Sequence, residues 1–242
     1  MSKLFLVMPA YNEADNIEKT VRQWCPVVKK LADDGVEARL VVANDGSKDA
    51  TLSLLQGLTE ECPQLIPLDK ANGGHGETLL FLYRYAMENG AEYVFQTDSD
   101  GQTSPDEFWP MWERREDFDF QIGHRKGRQD GVGRVFVASI LKFIVWLMFG
   151  VKVKDANTPF RLMHAEKLKP ILEVMPRDFF LCNVAIAAIA VKWNYKIGWQ
   201  PISFKPRQGG VNSVNWKKIV RIGWSAWGDF NRMNKNLKKK NV

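Results

Sequence analysis

What most constrains the fold of this 242-residue chain is an alternation that runs through its first half. Short apolar runs, several closed by a polar residue, take turns with longer stretches of helix-forming composition. The apolar runs are "KLFLVMP" (3–9), "ARLVVAND" (38–45), "LIPLD" (65–69) and "AEYVF" (91–95). They are too short for buried helices and rich in strand-forming residues, so they read as strands buried on both faces. Between them, "EADNIEKTVRQW" (13–24), "SKDATLSLLQGL" (47–58, with Ser47 as N-cap) and "NGGHGETLLFLYRYAMENG" (72–90) read as helices. A further helix is expected from about Ser104, and "DFQIG" (119–123) is a further short strand. Strand and helix in strict alternation give a doubly wound, mostly parallel α/β sheet flanked by helices. Such sheets bind ligands beyond the C-terminal ends of their strands. Glu13, Asp45, Asp98 and Asp100 all fall at those ends.

The charge is unevenly spread. The chain carries +6 in total, yet residues 211–242 hold eight basic residues against one acid, Asp229. The body is therefore close to neutral and the basic excess sits in the C-terminal segment. Two units follow: a catalytic domain over 1–210 and a basic, Trp-rich helical appendage over 211–242. In that appendage Trp216, Ile219, Val220, Trp224 and Trp227 share one helical stripe, and most of the lysines and arginines lie elsewhere. Tryptophan flanked by basic residues is the composition of a helix lying in a membrane interface; packing of the same tryptophans on the domain is the alternative. The apolar run at 135–153 is interrupted by Ser139 and Lys142. It reads as a core helix or one near a membrane surface before it reads as a span, which needs about 20 apolar residues. The N-terminus lacks a secretory-signal pattern. Cys25, Cys62 and Cys182 are few and widely spaced, so neither a disulfide framework nor a zinc site is expected, and a reducing, cytoplasmic setting is.

The segment "TDSDGQ" (97–102) directly follows a buried strand. Carboxylates at such a place are costly without a counter-charge. A divalent cation supplies one, since Mg²⁺ and Mn²⁺ prefer oxygen ligands and commonly bind one or two carboxylates together with substrate phosphates. Asp98, Asp100 and Gln102 alternate, and an extended backbone would point all three the same way. A surface turn capped by the acids is the plainer account of the same residues.

Four segments, "PAYNEADNI" (9–17), "VVANDGSKDAT" (41–51), "NGGHGETL" (72–79) and "QTDSDGQ" (96–102), occur in an order and spacing that resembles the family-2 inverting glycosyltransferases of the GT-A fold. The resemblance implies that Pro9, Tyr11, Glu13 and Asp45 hold the base and ribose of a nucleotide-sugar. It further implies that Asp98, Asp100 and Gln102 hold Mg²⁺ or Mn²⁺ on the donor diphosphate. His75 stands where the family often has lysine.

Acceptor chemistry separates the branches of such a family. Transfer to a sugar hydroxyl usually needs a general base, often supplied as Glu-Asp late in the domain. The corresponding stretch here, "RDFFLCNVAIAAIA" (177–190), has Asn183 among apolar residues and Asp178 as its one acid. A phosphate acceptor is already an anion and needs cations to place it. "GHRKGRQDGVGRVFVAS" (123–139), "DANTPFRLM" (155–163) and "PISFKPRQGGVNS" (201–213) resemble the polyprenyl-phosphate branch typified by dolichyl-phosphate mannosyltransferase. That resemblance implies acceptor-phosphate roles for Arg125 and Arg134, and substrate contacts for Arg161 and Arg207. Arginine suits the work because its planar fork binds phosphate bidentately.

The expectation is therefore a metal-dependent transferase with two substrates, a nucleotide-sugar donor and a polyprenyl-phosphate acceptor. It would work at the cytoplasmic membrane face, touching the membrane peripherally through its tail. Transfer to a glycan hydroxyl with Asp178 as base is the rival within the same chemistry. A non-catalytic nucleotide-sugar-binding protein is the rival outside it. Nucleic acid is not expected as a partner, because the body is near neutral and carries no nucleic-acid motif.

Overall fold

A computed structural model describes residues 2–125, 145–176, 178–204 and Gly228. Within these, the strands are β1 (Lys3–Ala10), β2 (Glu37–Asp45), β3 (Leu65–Lys70), β4 (Tyr93–Gln96), β5 (Phe120–Arg125), β6 (Arg161–His164) and β7 (Ile197–Ile202). They form one sheet in the order β3-β2-β1-β4-β6-β5-β7. Every neighbouring pair is parallel except those of β6, which runs antiparallel to both β4 and β5. The helices are α1 (Ile17–Asp33), α2 (Thr51–Gly57), α3 (His75–Glu88), α4 (Trp109–Glu113), α5 (Ala165–Val174) and α6 (Cys182–Lys192).

The period-2 geometry of β1 shows why the sheet is covered on both sides. Leu4, Leu6, Met8 and Ala10 face one core, where they meet Ile17, Val21, Trp24, Val28 and Leu31 of α1. Those five recur at alternating spacings of four and three, which is one stripe of a helix. Phe5 and Val7 face the opposite core, with Leu79, Leu82 and Tyr83 of α3 and the apolar length of α6. The helix α6 is buried from Cys182 to Ala190, sandwiched rather than amphipathic. The doubly wound, mostly parallel sheet expected from the alternation is what the chain adopts.

Several expectations need correction. The first helix starts at Ile17 rather than Glu13, because residues 11–16 are held as a loop at the C-terminal ends of the central strands. The second starts at Thr51, and Ser47 accepts a hydrogen bond from Asn12 instead of capping it. The helix expected from Ser104 is a 3-10 turn at Pro105–Glu107 leading into the short α4. Strands β6 and β7 were not expected; β6 is only four residues, RLMH, with a charged residue at its start.

The largest correction concerns the cysteines. Cys25 and Cys62 form a disulfide across 37 residues of sequence, with Cα atoms 6.0 Å apart. Helix α1 and the turn after α2 pack side by side on the same face of the sheet, so distance along the chain was no guide. The inference of a reducing setting rested on unpaired cysteines and loses its premise. Cys182 is free and buried. Of the apolar run at 135–153, residues 145–149 are helical; Val145 and Phe149 are buried while Trp146 and Leu147 are exposed. No helix among the described residues is long and apolar enough to cross a membrane. Residues 135–144, Arg134, Arg207 and, apart from Gly228, the tail lie outside the described residues.

Candidate active site

A cleft of about 330 Å³ opens where β1, β2 and β4 end, which is where a doubly wound sheet places its ligand. Pro9, Ala10, Tyr11 and Glu13 form one wall. Asp45, Asn72, Gly74, His75 and Thr78 form a second, and Asp98, Ser99 and Asp100 close the third.

The first wall is the loop after β1, and it is held by the loop after β2. The Asn12 N–H donates to Ser47 Oγ (2.9 Å), and the Lys48 N–H returns a bond to Asn12 Oδ1 (2.9 Å). The N–H groups of Glu13 and Ala14 donate to Thr51 Oγ1 (2.9 Å) and Asp49 Oδ2 (3.1 Å). Asn12 takes a left-handed backbone (φ 52°), which asparagine tolerates better than most residues. The clasp presents Glu13, 7% exposed, at the cleft and leaves Tyr11 at the rim, 46% exposed.

The second wall hangs on Asp45. Its carboxylate, at the end of β2, accepts from Lys70 Nζ (2.7 Å) and the Gly73 N–H (2.8 Å) through one oxygen, and from the Gly74 N–H (2.9 Å) through the other. Burial pushes this carboxyl up, but the hydrogen bonds from Lys70, Gly73 and Thr78 outweigh it, so its pKa lies below the usual carboxylate range. The glycines are required by shape. Gly74 has φ 84°, and a Cβ on Gly76 would sit on the carbonyl oxygens of Phe179 and Phe180, just before α6. His75 follows at the first turn of α3. It is open to solvent within the cleft, yet the surrounding protein lowers its imidazole pKa, only partly opposed by the charges of Asp100 and Asp45. That direction disfavours the charged imidazolium, whereas a lysine in the same place would carry its charge.

The third wall is the acid turn. Ser99 Oγ donates to the Pro9 carbonyl (2.8 Å) and Thr20 Oγ1 donates to the Ser99 carbonyl (3.0 Å), which ties the turn to β1 and α1. The backbone does not continue extended as the alternation implied. Gly101 is left-handed (φ 70°), and the Gln102 N–H folds back to Asp100 Oδ1 (3.1 Å). Asp98 and Asp100 line the cleft; Gln102 is not among the lining residues.

The structure thus brings together Pro9, Tyr11, Glu13, Asp45, Asp98 and Asp100. It does not bring Arg161 there. That side chain is fully buried, and Nε, Nη1 and Nη2 donate to the carbonyls of Thr158 (2.7 Å), Asn183 (2.7 Å) and Ala156 (2.6 Å). Arg125 ends β5, paired with Ile202 of β7. Asn72, Thr78 and Ser99 were missed as individual site residues, although the glycine segment and the residue between two aspartates were the signals that could have found them. The free thiol of Cys182 is pushed up to about 12 by burial, which makes it a packing group and no nucleophile.

The family model of glycosyl transferase family 2 matches residues 5–172, a span that contains all three walls of the cleft. The chain belongs to that family. Among its relatives, this family-2 glycosyltransferase is 23% identical over 222 residues to an undecaprenyl-phosphate mannosyltransferase of Micrococcus luteus, covering 88% of each chain. It is 24% identical over 224 residues to a dolichyl-phosphate beta-glucosyltransferase of Trichomonas vaginalis, covering 88% of this chain and 68% of that one. An undecaprenyl-phosphate 4-deoxy-4-formamido-L-arabinose transferase of Salmonella newport is 22% identical, over 92% of this chain and 65% of its own length. In fold it is similar to glucosyl-3-phosphoglycerate synthase of Mycobacterium tuberculosis, solved with Mn²⁺, UDP-glucose and glycerol 3-phosphate. The TM-score there is 0.66 at 16% identity, over 96% of this chain and 80% of that one.

Proposed function

We propose that this glycosyltransferase moves a hexose from a nucleotide-sugar to a polyprenyl phosphate, with Mg²⁺ or Mn²⁺ held by Asp98 and Asp100. The observation that carries the donor half is the charge of the cleft. Its described lining has four carboxylates, Glu13, Asp45, Asp98 and Asp100, and no lysine or arginine. Asp45 is already paired with Lys70 at 2.7 Å, and a cation arriving with the diphosphate would offset the negative charge that the other carboxylates bring to the cleft. Among the described residues no three His, Cys, Asp or Glu side chains converge as a closed metal cage. Two carboxylates, with phosphate oxygens and water completing the shell, is how Mg²⁺ is commonly held. The residues therefore fit the ion. Once bound, it neutralises charge on the departing nucleoside diphosphate.

The chain's own groups do the rest. Tyr11, at the rim, offers its ring to a nucleobase, and Glu13 accepts hydrogen bonds from ribose hydroxyls or base N–H groups. Asp45 acts mainly at one remove: with Lys70 and two glycine N–H groups already on it, it fixes the loop that carries His75. Arg125, Arg134 and Arg207 are assigned to the acceptor phosphate and the diphosphate on the strength of the family resemblance. An acceptor phosphate oxygen attacks the anomeric carbon from the face opposite the leaving group. The new C–O bond forms as the bond to the diphosphate breaks, and the configuration inverts. No base is required, since the attacking oxygen carries no proton that must leave first. The relatives named for polyprenyl-phosphate acceptors support this half of the reading. The basic, tryptophan-bearing tail suits peripheral attachment at the anionic cytoplasmic face of a membrane.

The test is a panel of nucleotide-sugars offered with a short polyprenyl phosphate and Mg²⁺ or Mn²⁺. Formation of a glycosyl phosphopolyprenol with inversion is the expected outcome. Product on a free sugar hydroxyl but none on the lipid phosphate sinks the acceptor assignment.

A further inference from the structure

We infer that Arg161 is a positioning residue for the reaction, a buried clamp that holds two walls of the cleft in register. The inference rests on the reading of Asp98 and Asp100 given above.

Arg161 opens β6, and its ladder partner is Gln96, the last residue of β4. Asp98 stands two residues further along the same strand end. The three hydrogen bonds of the guanidinium, at 2.6–2.7 Å, go to three carbonyls from two separate pieces of chain. Two of them belong to the loop before β6 and one to the first turn of α6. Through β6 the clamp reaches the acid turn directly. Through α6 it reaches the opposite wall, because the backbone of Phe179 and Phe180, leading into α6, lies against Gly76 beside His75. The glycine segment in turn is fastened by Asp45. Tyr83 closes the circuit from α3, its hydroxyl donating to Gln96 Oε1 at 2.7 Å.

A fully buried cation bonded only to neutral carbonyls is expensive. Burial does depress the guanidinium pKa, and the negative charges of Asp155 and Asp98 are among the influences opposing that. The link from the buried arginine to the acid turn is therefore chiefly geometric, through its ladder pairing with Gln96, with the charge of Asp98 a lesser influence. An apolar residue could fill the volume, and a lysine could supply the charge. Only the planar fork does both while reaching carbonyls from two chain segments.

The experiment uses the full chain with Arg161→Lys and Arg161→Met. It follows thermal melting, kcat and donor KM for turnover (transfer, or donor hydrolysis), and Mn²⁺ affinity in the presence of UDP or GDP, whichever the wild type binds. Lysine keeps the charge and loses the fork. A folded Arg161→Lys is expected to lose about tenfold to a hundredfold in kcat, the scale of a small misplacement of reacting groups. Its Mn²⁺ affinity should fall as well, with donor KM little changed because Tyr11 and Glu13 stand on the other wall. A folded Arg161→Lys with wild-type kcat and Mn²⁺ affinity overturns the inference. So does a loss confined to KM. If neither variant folds, Tyr83→Phe carries the test, removing one hydroxyl from the same circuit. Its kcat should drop several-fold at unchanged KM, and a wild-type kcat overturns the inference. Asp100→Ala is titrated alongside. If the wild type proves indifferent to Mn²⁺, the metal reading fails by itself and the kcat values alone decide the role of Arg161.

Discussion

Each half of the sheet holds a cation largely shielded from solvent, and the two are used in opposite ways. On the β1–β2–β3 side, Lys70 is bonded to Asp45 at 2.7 Å, and the same carboxylate gathers the glycine loop. On the β6 side, Arg161 bonds to backbone carbonyls, and Asp155 and Asp98 only partly oppose the effect of its burial. The first arrangement places polar groups at strand ends, facing a ligand. The second places them inside, facing the protein. The comparison teaches that a charged residue in a recognisable motif can serve the site from either side of its wall. Arg161 lies in a motif that resembles a substrate-contacting one and is nevertheless walled off from the cleft.

The comparison breaks first at the acid turn, where the largest effect is expected. Asp100→Ala should lower the transfer rate by about 10²-fold or more, the scale seen when one electrostatic stabiliser of developing charge is removed. Folding should barely change, because Asp100 is only partly buried and its loss relieves repulsion with Asp98. Steady-state rates at limiting Mn²⁺, with thermal melting in parallel, check both halves; a near wild-type rate removes Asp100 from the site.

Asp45→Asn should behave in the reverse manner, with a large effect on stability. It strips Lys70 of its nearer carboxylate, leaving Glu77 at 3.6 Å, and weakens two loop anchors, so the cost should approach but fall short of the roughly 3–5 kcal/mol of a buried charge left wholly unpaired. The pH dependence has a definite sign. The folded pKa of Asp45 is depressed below 3.8, so its contribution is complete above the ordinary carboxylate pKa and is lost as pH falls through the lower, folded value. Urea unfolding from neutral pH down into that acid window should show a steeper loss for wild type than for Asp45→Asn. Identical slopes would remove Asp45 from the account of acid stability.

How much of this was legible in the sequence follows from the same contrast. The strands β1, β2 and β4 could be read because they are buried on both faces and end in polar residues that face outward. Glu13, Asp45, Asp98 and Asp100 were readable with them. The β6 strand was not, since four residues beginning with arginine carry no apolar run. The hydrogen-bond surroundings of Asp45 and Gln102 were hidden for another reason: they depend on local backbone geometry. Gly101 is left-handed and the Gln102 N–H folds back to Asp100, while the Gly73 and Gly74 amides bond the carboxylate that the resemblance linked to a nucleoside. The Cys25–Cys62 bridge depends on how α1 packs against the turn after α2, which no spacing rule reports.

That bridge sharpens the comparison on the donor side. It staples α1 to the turn after α2, and the loops that open these two helices clasp each other over the cleft. A cross-link closing a loop of this length is worth about 3–4 kcal/mol in the chain-entropy picture. Cys25→Ser should therefore lower the melting temperature by several degrees and raise donor KM more than it lowers kcat. A variant as stable as wild type in oxidising buffer would show that the bridge does not form in solution.

The smallest expected effect tests the acceptor assignment. Asp178 is exposed on the segment that leads into α6 and is not among the residues lining the cleft. In family members that transfer to hydroxyls, this stretch often supplies the general base, and losing a base costs about 10²-fold or more. A phosphate oxygen has no proton to give up, so Asp178→Asn should change the rate on a polyprenyl phosphate by less than about threefold, well short of the loss expected for a general base. Comparing the variant on a lipid phosphate and on a sugar acceptor makes the measurement decisive. A hundredfold loss on the lipid phosphate would make Asp178 a base after all and favour the hydroxyl chemistry. An unchanged rate supports a phosphate acceptor and moves the test to the two arginines proposed for it, Arg125 and Arg134, whose removal should then lower the rate.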